Sequence, residues 1–255
     1  MDLLLYSIDS GIARITLNRP EKRNALNPEL IAALREALAK SSRDPAVRVL
    51  LIAGMGRDFC AGLDLTTLGV AADGALEHLE SAQRLADVLL AIRRHPRPAV
   101  AAVHGRALGG GAGIATACDL ILAAESAAIG YPEVKIGFVP AMVAALLRHS
   151  VTEKRMFELL VSGEPVAARE AQAIGLINQV FADAEFESRV DSYVKNLSAK
   201  SASALSLTKD LLYHTDGMTL EKAIEAGVLM NAVSRSTEDA KRGFAGFRAG
   251  AKKKS

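Results

Sequence analysis

The sequence predicts an α/β core that passes into an all-α C-terminal part. Three observations carry this. Strand-like and helix-like segments alternate through the first half of the chain, strand signals largely disappear from about Val143 onward, and no Pro-, Gly- or Ser-rich linker separates the two parts. No internal repeat of fixed period is visible and no segment is of low complexity.

The elements follow in order. Leu3 to Asp9 and Ile12 to Asn18 are short apolar or alternating runs around Ser10-Gly11, a hairpin pattern. Asn27 then stands at an N-cap position with Pro28 after it, and Leu30, Leu34 and Leu38 recur at a spacing of four, which predicts an amphipathic helix. Val47 to Gly54 is a buried strand ending in glycine, Leu76 to Arg94 has helical periodicity, Arg97 to Gly105 is another strand, and Asp119 to Gly130 supplies one or two more. Beyond Val143, five stretches read as helices: AALLRHSVTEKRMFELLVSG, AAREAQAIG, DAEFESRVDSYVKNLSAK, SASALSLTKDLLYHT and TLEKAIEAGVLMNAVSRSTEDAKRGFAGFR.

Composition narrows the function. The chain has 255 residues, 50% of them hydrophobic and 24% charged, enough to bury a large core. A formal charge of +2 is too mild for a nucleic-acid binder, and Lys252 to Lys254 reads as a solvated tail. The segment MDLLLYSIDSG lacks a basic region before its apolar stretch, and the longest apolar span, Ala107 to Ala124, is interrupted by Asp119 and several glycines. No signal peptide and no membrane span are therefore expected. Cys60 and Cys118 lie far apart with no metal-binding spacing, which fits a reducing, cytoplasmic setting.

The stretch HGRALGGGAGIATACDL, from His104 to Leu120, carries five glycines and follows a strand. Nucleotide templates fail on it. A dinucleotide fingerprint would need glycine at Ile114 or Thr116, and a Walker loop would need Lys and Ser or Thr where Gly111 and Ala112 stand. No G-x-S-x-G elbow and no H-E-x-x-H occurs. What remains is a glycine turn opening a helix near Gly110 or Gly111, whose N-terminal N–H groups are unpaired and approachable. A second glycine turn, GMGRDFCAGLDL from Gly54 to Leu65, also follows a strand. Two such turns can aim one N–H each at a single oxygen, or serve only as tight connections that need positive φ.

The segments NRPEKRNAL, GMGRDFCAGLDL, AVHGRALGGGAGIATACDLILAA, YPEVKIGFVP and VSGEPVAAREAQAIGLINQV, with the closing STEDAKRGFAGF, resemble in order the crotonase superfamily, the enoyl-CoA hydratase/isomerase family. The resemblance covers essentially the whole chain. It implies a spiral of β-β-α units, residues 1–195, followed by a helical trimerisation region, residues 196–255, with trimers often paired into hexamers. It implies an acyl-CoA thioester substrate, with coenzyme A as part of that substrate and no metal or redox cofactor. The thioester carbonyl would accept hydrogen bonds from the backbone N–H groups of Leu63 and Gly110. Arg23, Asn24, Ala25, Ala61, Asp64, Leu65 and Gly109 would line the substrate site, although a turn or cap role for Asp64 competes with this.

Family hydratases use two glutamates, and the resemblance places them at Gly113 and Glu133; only Glu133 is present. A carboxylate in an apolar pocket has its pKa raised and can shuttle a proton. The expectation is an enzyme that hydrates 2-enoyl-CoA or isomerises 3-enoyl-CoA to 2-enoyl-CoA with Glu133 as acid/base. The alternative is a non-catalytic acyl-CoA-binding or scaffolding protein. The pocket wall is expected from parts of Leu68 to Arg94 and Val139 to Leu147. Asp64, His78, His104, Asp119 and Glu125 are polar residues near these segments without an assigned place in the pocket.

Overall fold

The computed structural model describes residues 2–67 and 74–252, with side chains through Phe247. Of the expected pocket wall, residues 68–73 lie outside the described residues, as do Lys253 and Lys254 of the basic tail.

Strands β1 (Leu4–Asp9) and β2 (Ile12–Leu17) form the expected hairpin, with Ser10 and Gly11 both at positive φ in the turn. From β2 the sheet continues in parallel through β3 (Val49–Gly54), β4 (Ala99–Val103), β6 (Leu120–Ala124) and β9 (Gln179–Phe181), in the order β1-β2-β3-β4-β6-β9. Parallel neighbours need long crossovers. Helices α1 (Pro28–Arg43), α2 (Ala75–Arg93) and α3 (Gly110–Ala117) lie in those crossovers. In α1 the Asn27 side chain accepts from the Leu30 amide at 3.0 Å, a cap that contributes about 1 kcal/mol. Its Leu30, Leu34 and Leu38 are all buried in the core, as the spacing of four requires.

A second, three-stranded sheet has the order β5-β7-β8, built from β5 (Arg106–Leu108), β7 (Ala128–Gly130) and β8 (Val166–Ala167). The chain passes from β4 to β5 through a corner at Gly105, where φ is +55° and a Cβ would stand 2.1 Å from the Arg57 carbonyl oxygen. Only glycine fits there. The corner passes the chain from the main sheet to β5 of the second sheet, which leads into α3.

Two expectations need correction. The region after Val143 is not free of strands. Val166–Ala167 and Gln179–Phe181 each pair with a sheet edge, but runs of two and three residues are too short to show alternation. Two predicted helices are also split. The first becomes α4 (Ala141–Leu147) and α5 (Glu153–Ser162), with Thr152 extended between them. The last becomes α9 (Leu220–Ser236) and α10 (Glu238–Lys252), parted at Thr237, whose hydroxyl accepts from the Ala240 amide at 3.2 Å. In both places a threonine in extended conformation parts the helices, and Thr237 also caps with its hydroxyl, a break that a continuous periodic pattern conceals.

Helices α6 (Ala168–Ala173), α7 (Phe186–Ser198) and α8 (Ala202–His214) complete the chain. A buried ammonium ties α8 to the core: Lys209 Nζ donates to Asp119 at 2.7 Å and to the carbonyls of Ile92 and Arg97 at 3.3 Å, while the Tyr213 hydroxyl donates to the same carboxylate. Helix α9 buries no residue and exposes Leu220, Ile224, Val228 and Leu229.

His95 is buried between the ends of α1 and α2, with Nε2 3.1 Å from the Ser41 hydroxyl and Nδ1 3.1 Å from the Arg97 amide nitrogen. Burial, aided by the charges of Lys209 and Arg97, pushes its pKa down from 6.5 to about 4, against the opposing pull of Asp119. The unfolded chain therefore takes up a proton below pH 6.5 that the folded chain refuses until about pH 4. Stability measured by urea unfolding should fall by about 3 kcal/mol across that window. His95→Gln should flatten this slope; an unchanged slope would show that another group titrates.

Candidate active site

The site is built around one stretch, Asp58 to Asp64, held between two others. On one side Ala61 N–H donates to the Arg23 carbonyl at 2.9 Å, Leu26 N–H to Gly62 at 2.8 Å and Asp64 N–H to Leu26 at 2.9 Å. On the other side Cys60 N–H donates to the Arg106 carbonyl at 3.1 Å and Leu108 N–H to Cys60 at 2.9 Å. The first set is a parallel bridge between Leu26 and Leu63, the second a parallel bridge between Cys60 and Ala107.

The bridge geometry decides where Leu63 points. Its neighbours Gly62 and Asp64 make the hydrogen bonds to Leu26, so the N–H of Leu63 itself faces the opposite side. Gly110 is the first residue of α3, so its N–H has no carbonyl within the helix to reach. Among the described residues neither amide donates to another group of the chain. The two are neighbours: a methyl built on Gly110 would stand 3.7 Å from Leu63 Cγ, and one on Gly62 would stand 3.6 Å from the Gly110 nitrogen.

Glu133 lies in a short 3-10 turn, Pro132–Ile136, directly after β7. Two residues earlier, the fully buried Tyr131 hydroxyl sits 2.8 Å from the Thr116 hydroxyl of α3, which fixes this turn against the helix. The carboxylate reaches back to the glycine turn, so that a Cβ at Gly109 would be 3.2 Å from Glu133 Oε1. Gly109 has φ of +50° and donates its N–H to Gly130 at 2.9 Å. Glu133 Oε2 is buried with no hydrogen-bond partner among the described residues. Burial raises the pKa of this carboxyl above the ordinary carboxylate range.

Gly113 stands one helical turn beyond Gly109 and is buried. A Cβ there would meet Leu89 of α2 at 3.7 Å and Val143 of α4 at 3.8 Å, both ordinary contacts. Leu85, one turn before Leu89 on α2, comes within 3.4 Å of a Cβ built on Gly110. An apolar wall closes this side.

The residues expected to line a substrate site divide. Ala25 and Ala61 are half-buried and Arg23 and Leu65 exposed, so they lie at the surface near the two amides. Asn24 and Asp64 turn inward instead. The Asn24 side chain is buried and donates to the carbonyls of Met55 at 2.9 Å, Asp58 at 2.8 Å and Phe59 at 3.2 Å, while its oxygen accepts from the Arg19 amide at 2.9 Å. It shapes the loop and presents no side chain to a ligand, because every polar atom it has is used. Asp64 accepts from the Thr66 hydroxyl at 2.6 Å and from Arg19 at 3.1 Å, contacts that hold its carboxyl below its usual range. Of the other polar candidates, His104 contacts the Gly56 carbonyl, Asp119 binds Lys209, Glu125 pairs with Arg169, and His78 is exposed on α2.

Three residues with roles here were not singled out from the sequence: Arg19, Asp58 and Tyr131. Asp58 is buried, which pushes its pKa up, yet hydrogen bonds and charge from Arg106 and the charge of Arg23 hold it below the usual value. Its bond to the Arg106 amide at 2.9 Å braces the corner at Gly105. Cys60 is buried and its thiol is pushed up to about 12, so it stays neutral and donates to the Asn24 carbonyl at 3.0 Å. No metal-ligating cluster and no helix long and apolar enough to cross a membrane occurs among the described residues.

A parallel sheet turning at a glycine corner into a second short sheet, with helices following, defines the crotonase-type α/β fold. Residues 7–254 match the family described as enoyl-CoA hydratase/isomerase. The chain is 40% identical over 245 residues to "Putative enoyl-CoA hydratase" of Thermus thermophilus, covering 95% of this chain and 97% of that protein. It is 32% identical over 243 residues to (E)-benzylidenesuccinyl-CoA hydratase of Thauera aromatica, covering 94% and 93%. The crystal structure of an enoyl-CoA hydratase from Mycobacterium smegmatis superposes with a TM-score of 0.92 at 33% identity, covering 98% and 97%. This chain belongs to the enoyl-CoA hydratase/isomerase family.

The contact between Gly109 and Glu133 gives a test. In Gly109→Ala the backbone strain costs on the order of 1–3 kcal/mol and the new methyl presses on Glu133 Oε1. Unfolding measurements should show that loss, whereas Gly246→Ala in α10, where nothing among the described residues lies within 4 Å, should leave stability unchanged or higher. Equal effects would mean that the turn at Gly109 relaxes freely.

Proposed function

We propose that the chain acts on acyl-CoA thioesters by proton transfer at the carbons beside the thioester carbonyl. The observation that carries this reading is the buried oxygen of Glu133, without a hydrogen-bond partner among the described residues, near two backbone amides that bond nothing among them. Leu63 and Gly110 hold the carbonyl oxygen as it gains negative charge, and each such donor contributes about 3–4 kcal/mol to the transition state. Glu133 removes a proton from the α-carbon of a 3-enoyl-CoA, the electrons move into the dienolate, and the same carboxyl returns the proton at the γ-carbon. The product is the 2-enoyl-CoA, with no atom gained or lost. One base suffices for this, and the apolar contacts at Gly113 offer no second carboxylate to hold water.

Hydration of a 2-enoyl-CoA is the second reading, favoured by the names of the relatives. It requires Glu133 both to take a proton from water and to deliver one to the α-carbon. In either case Arg23, Ala25, Ala61 and Leu65 lie where the pantetheine and adenine of coenzyme A leave the pocket, with Gly109 at the reacting end. The exposed apolar face of α9 supports assembly as a homotrimer or homohexamer.

Ultraviolet absorbance of the conjugated enoyl thioester separates these outcomes. A rise with 3-enoyl-CoA marks isomerisation and a fall with crotonyl-CoA marks hydration. Glu133→Gln should abolish either while calorimetry still shows thioester binding. Full activity in Glu133→Gln would overturn the assignment of the base, and binding without any turnover by the unmutated chain would make this an acyl-CoA-binding protein. Since proton removal needs the ionised carboxylate, the rate should fall as pH drops through a raised Glu133 pKa, above the normal carboxylate range.

A further inference from the structure

We propose that Arg19 and Asp64 form a positioning pair that fixes the direction of the Leu63 amide. This rests on the reading of that amide as a carbonyl-binding donor. Arg19 is placed by its own backbone: it precedes the 3-10 turn Pro20–Lys22, its N–H donates to Asn24 Oδ1 at 2.9 Å, and its carbonyl accepts from Asn24 at 2.9 Å. Its guanidinium then spans both segments of the Leu26–Leu63 bridge. Nη1 donates to the Ala25 carbonyl at 2.5 Å and Nη2 to Asp64 Oδ2 at 3.1 Å. The two side chains are only 11% and 8% exposed.

Two consequences follow from this arrangement. The first is geometric. Ala25 and Asp64 flank the two bridged residues, Leu26 on one segment and Leu63 on the other, so a rigid planar fork across them sets their spacing. A shift of about 1 Å in a group that binds the reacting oxygen costs on the order of 100-fold in rate. The second is electrostatic. Asp64 is the residue directly after Leu63 and its carboxylate is buried, so its charge lies within a residue's length of the amide that would face the growing negative charge and is poorly screened by water. Arg19 cancels that charge. Without it, an ionised Asp64 opposes the same enolate that the amide stabilises. The Thr66 hydroxyl and amide hold the second carboxylate oxygen, at 2.6 Å and 3.2 Å, which keeps the pair from turning away.

The test combines turnover with a spectroscopic signature. A cinnamoyl-type CoA thioester absorbs further to the red when its carbonyl is polarised, so its bound spectrum reports the two amides without turnover. In Arg19→Gln, kcat on the enoyl-CoA substrate should fall on the order of 100-fold, KM should change little, and the red shift should shrink. Arg19→Lys, which keeps the charge but not the two-pronged reach, should lie between. Arg19→Gln combined with Asp64→Asn should recover part of the loss of Arg19→Gln alone, because the unpaired charge is gone. A purely structural role would lower the urea midpoint without moving the red shift. If Arg19→Gln does not fold, Arg19→Lys and Asp64→Asn carry the same comparison.

Unchanged kcat and red shift in these variants, with the unmutated protein active, would overturn the positioning pair and leave the proposed function standing. An unmutated protein that binds the thioester with no red shift would overturn the carbonyl-binding role of Leu63 and the pair together. A red shift that Arg19→Gln diminishes supports the pair even where turnover is slow.

Discussion

The site depends on the side chain of one buried asparagine. Asn24 sits in a left-handed backbone conformation and spends its amide on three carbonyls of the Met55 to Phe59 loop. Such a conformation is tolerated by asparagine better than by most residues. A buried amide with all its bonds made is also costly to disturb, because any displacement orphans several polar groups at once. From this anchor the stretch Asp58 to Asp64 runs on between Leu26 and β5 in a register that two isolated bridges fix. The direction of the Leu63 amide is a consequence of that register. A backbone donor cannot be aimed by choosing its side chain; it is aimed by fastening the residues on either side.

Around this frame the charges are arranged in closed pairs. Asp58 faces Arg106 and Arg23, Asp64 faces Arg19, and Asp119 faces Lys209. Each pair is worth less in net stability than its short distances suggest, because both charges give up water. Their effect on the site is one of removal: the acids near the amides are neutralised locally. Glu133 is treated differently. Its carboxylate is desolvated, with one oxygen that has no partner among the described residues, and burial outweighs its own backbone hydrogen bond in raising its pKa. Separation of this kind, one desolvated carboxylate among neighbours that are tied down, is the arrangement the proposed acid/base role of Glu133 calls for.

Much of this was legible in the sequence, and the reasons are specific. The hairpin at Ser10-Gly11, helix α1 with its Asn27 cap, and helix α3 opening at Gly110 follow from local rules, since a turn or a cap leaves its signature within four or five residues. The strands β8 and β9 did not, because two or three residues of pairing leave no periodic trace, and the helix breaks at Thr152 and Thr237 hid inside patterns that periodicity alone would continue. Within the site, Glu133 and the two amides were accessible through motif resemblance. Asn24 and Asp64 were expected to line the substrate site, but their side chains face inward. Arg19, 45 residues from Asp64, was invisible in its role because an ion pair across that separation exists only once the Leu26–Leu63 bridge has formed.

The glycines of the turn answer why the backbone there is so bare, and they do not all give the same answer. A side chain at Gly105 would strike a carbonyl, at Gly109 it would press on Glu133 from a strained backbone, and at Gly111 its Cβ would lie 2.5 Å from the Cys60 carbonyl oxygen. These three are required by packing. Gly113 is not, since its φ is ordinary and a Cβ would find only normal contacts with Leu89 and Val143. The absence of a side chain at that position is therefore no consequence of the turn or of the closeness of the helices. Leu89 and Val143 face the position where a second carboxylate would begin, and a charge beside two aliphatic side chains would be desolvated without a partner. The chain has built that wall from hydrocarbon. On the proposed acyl-CoA reading, one desolvated carboxylate facing such a wall would favour moving a proton between two carbons over holding a water molecule for attack.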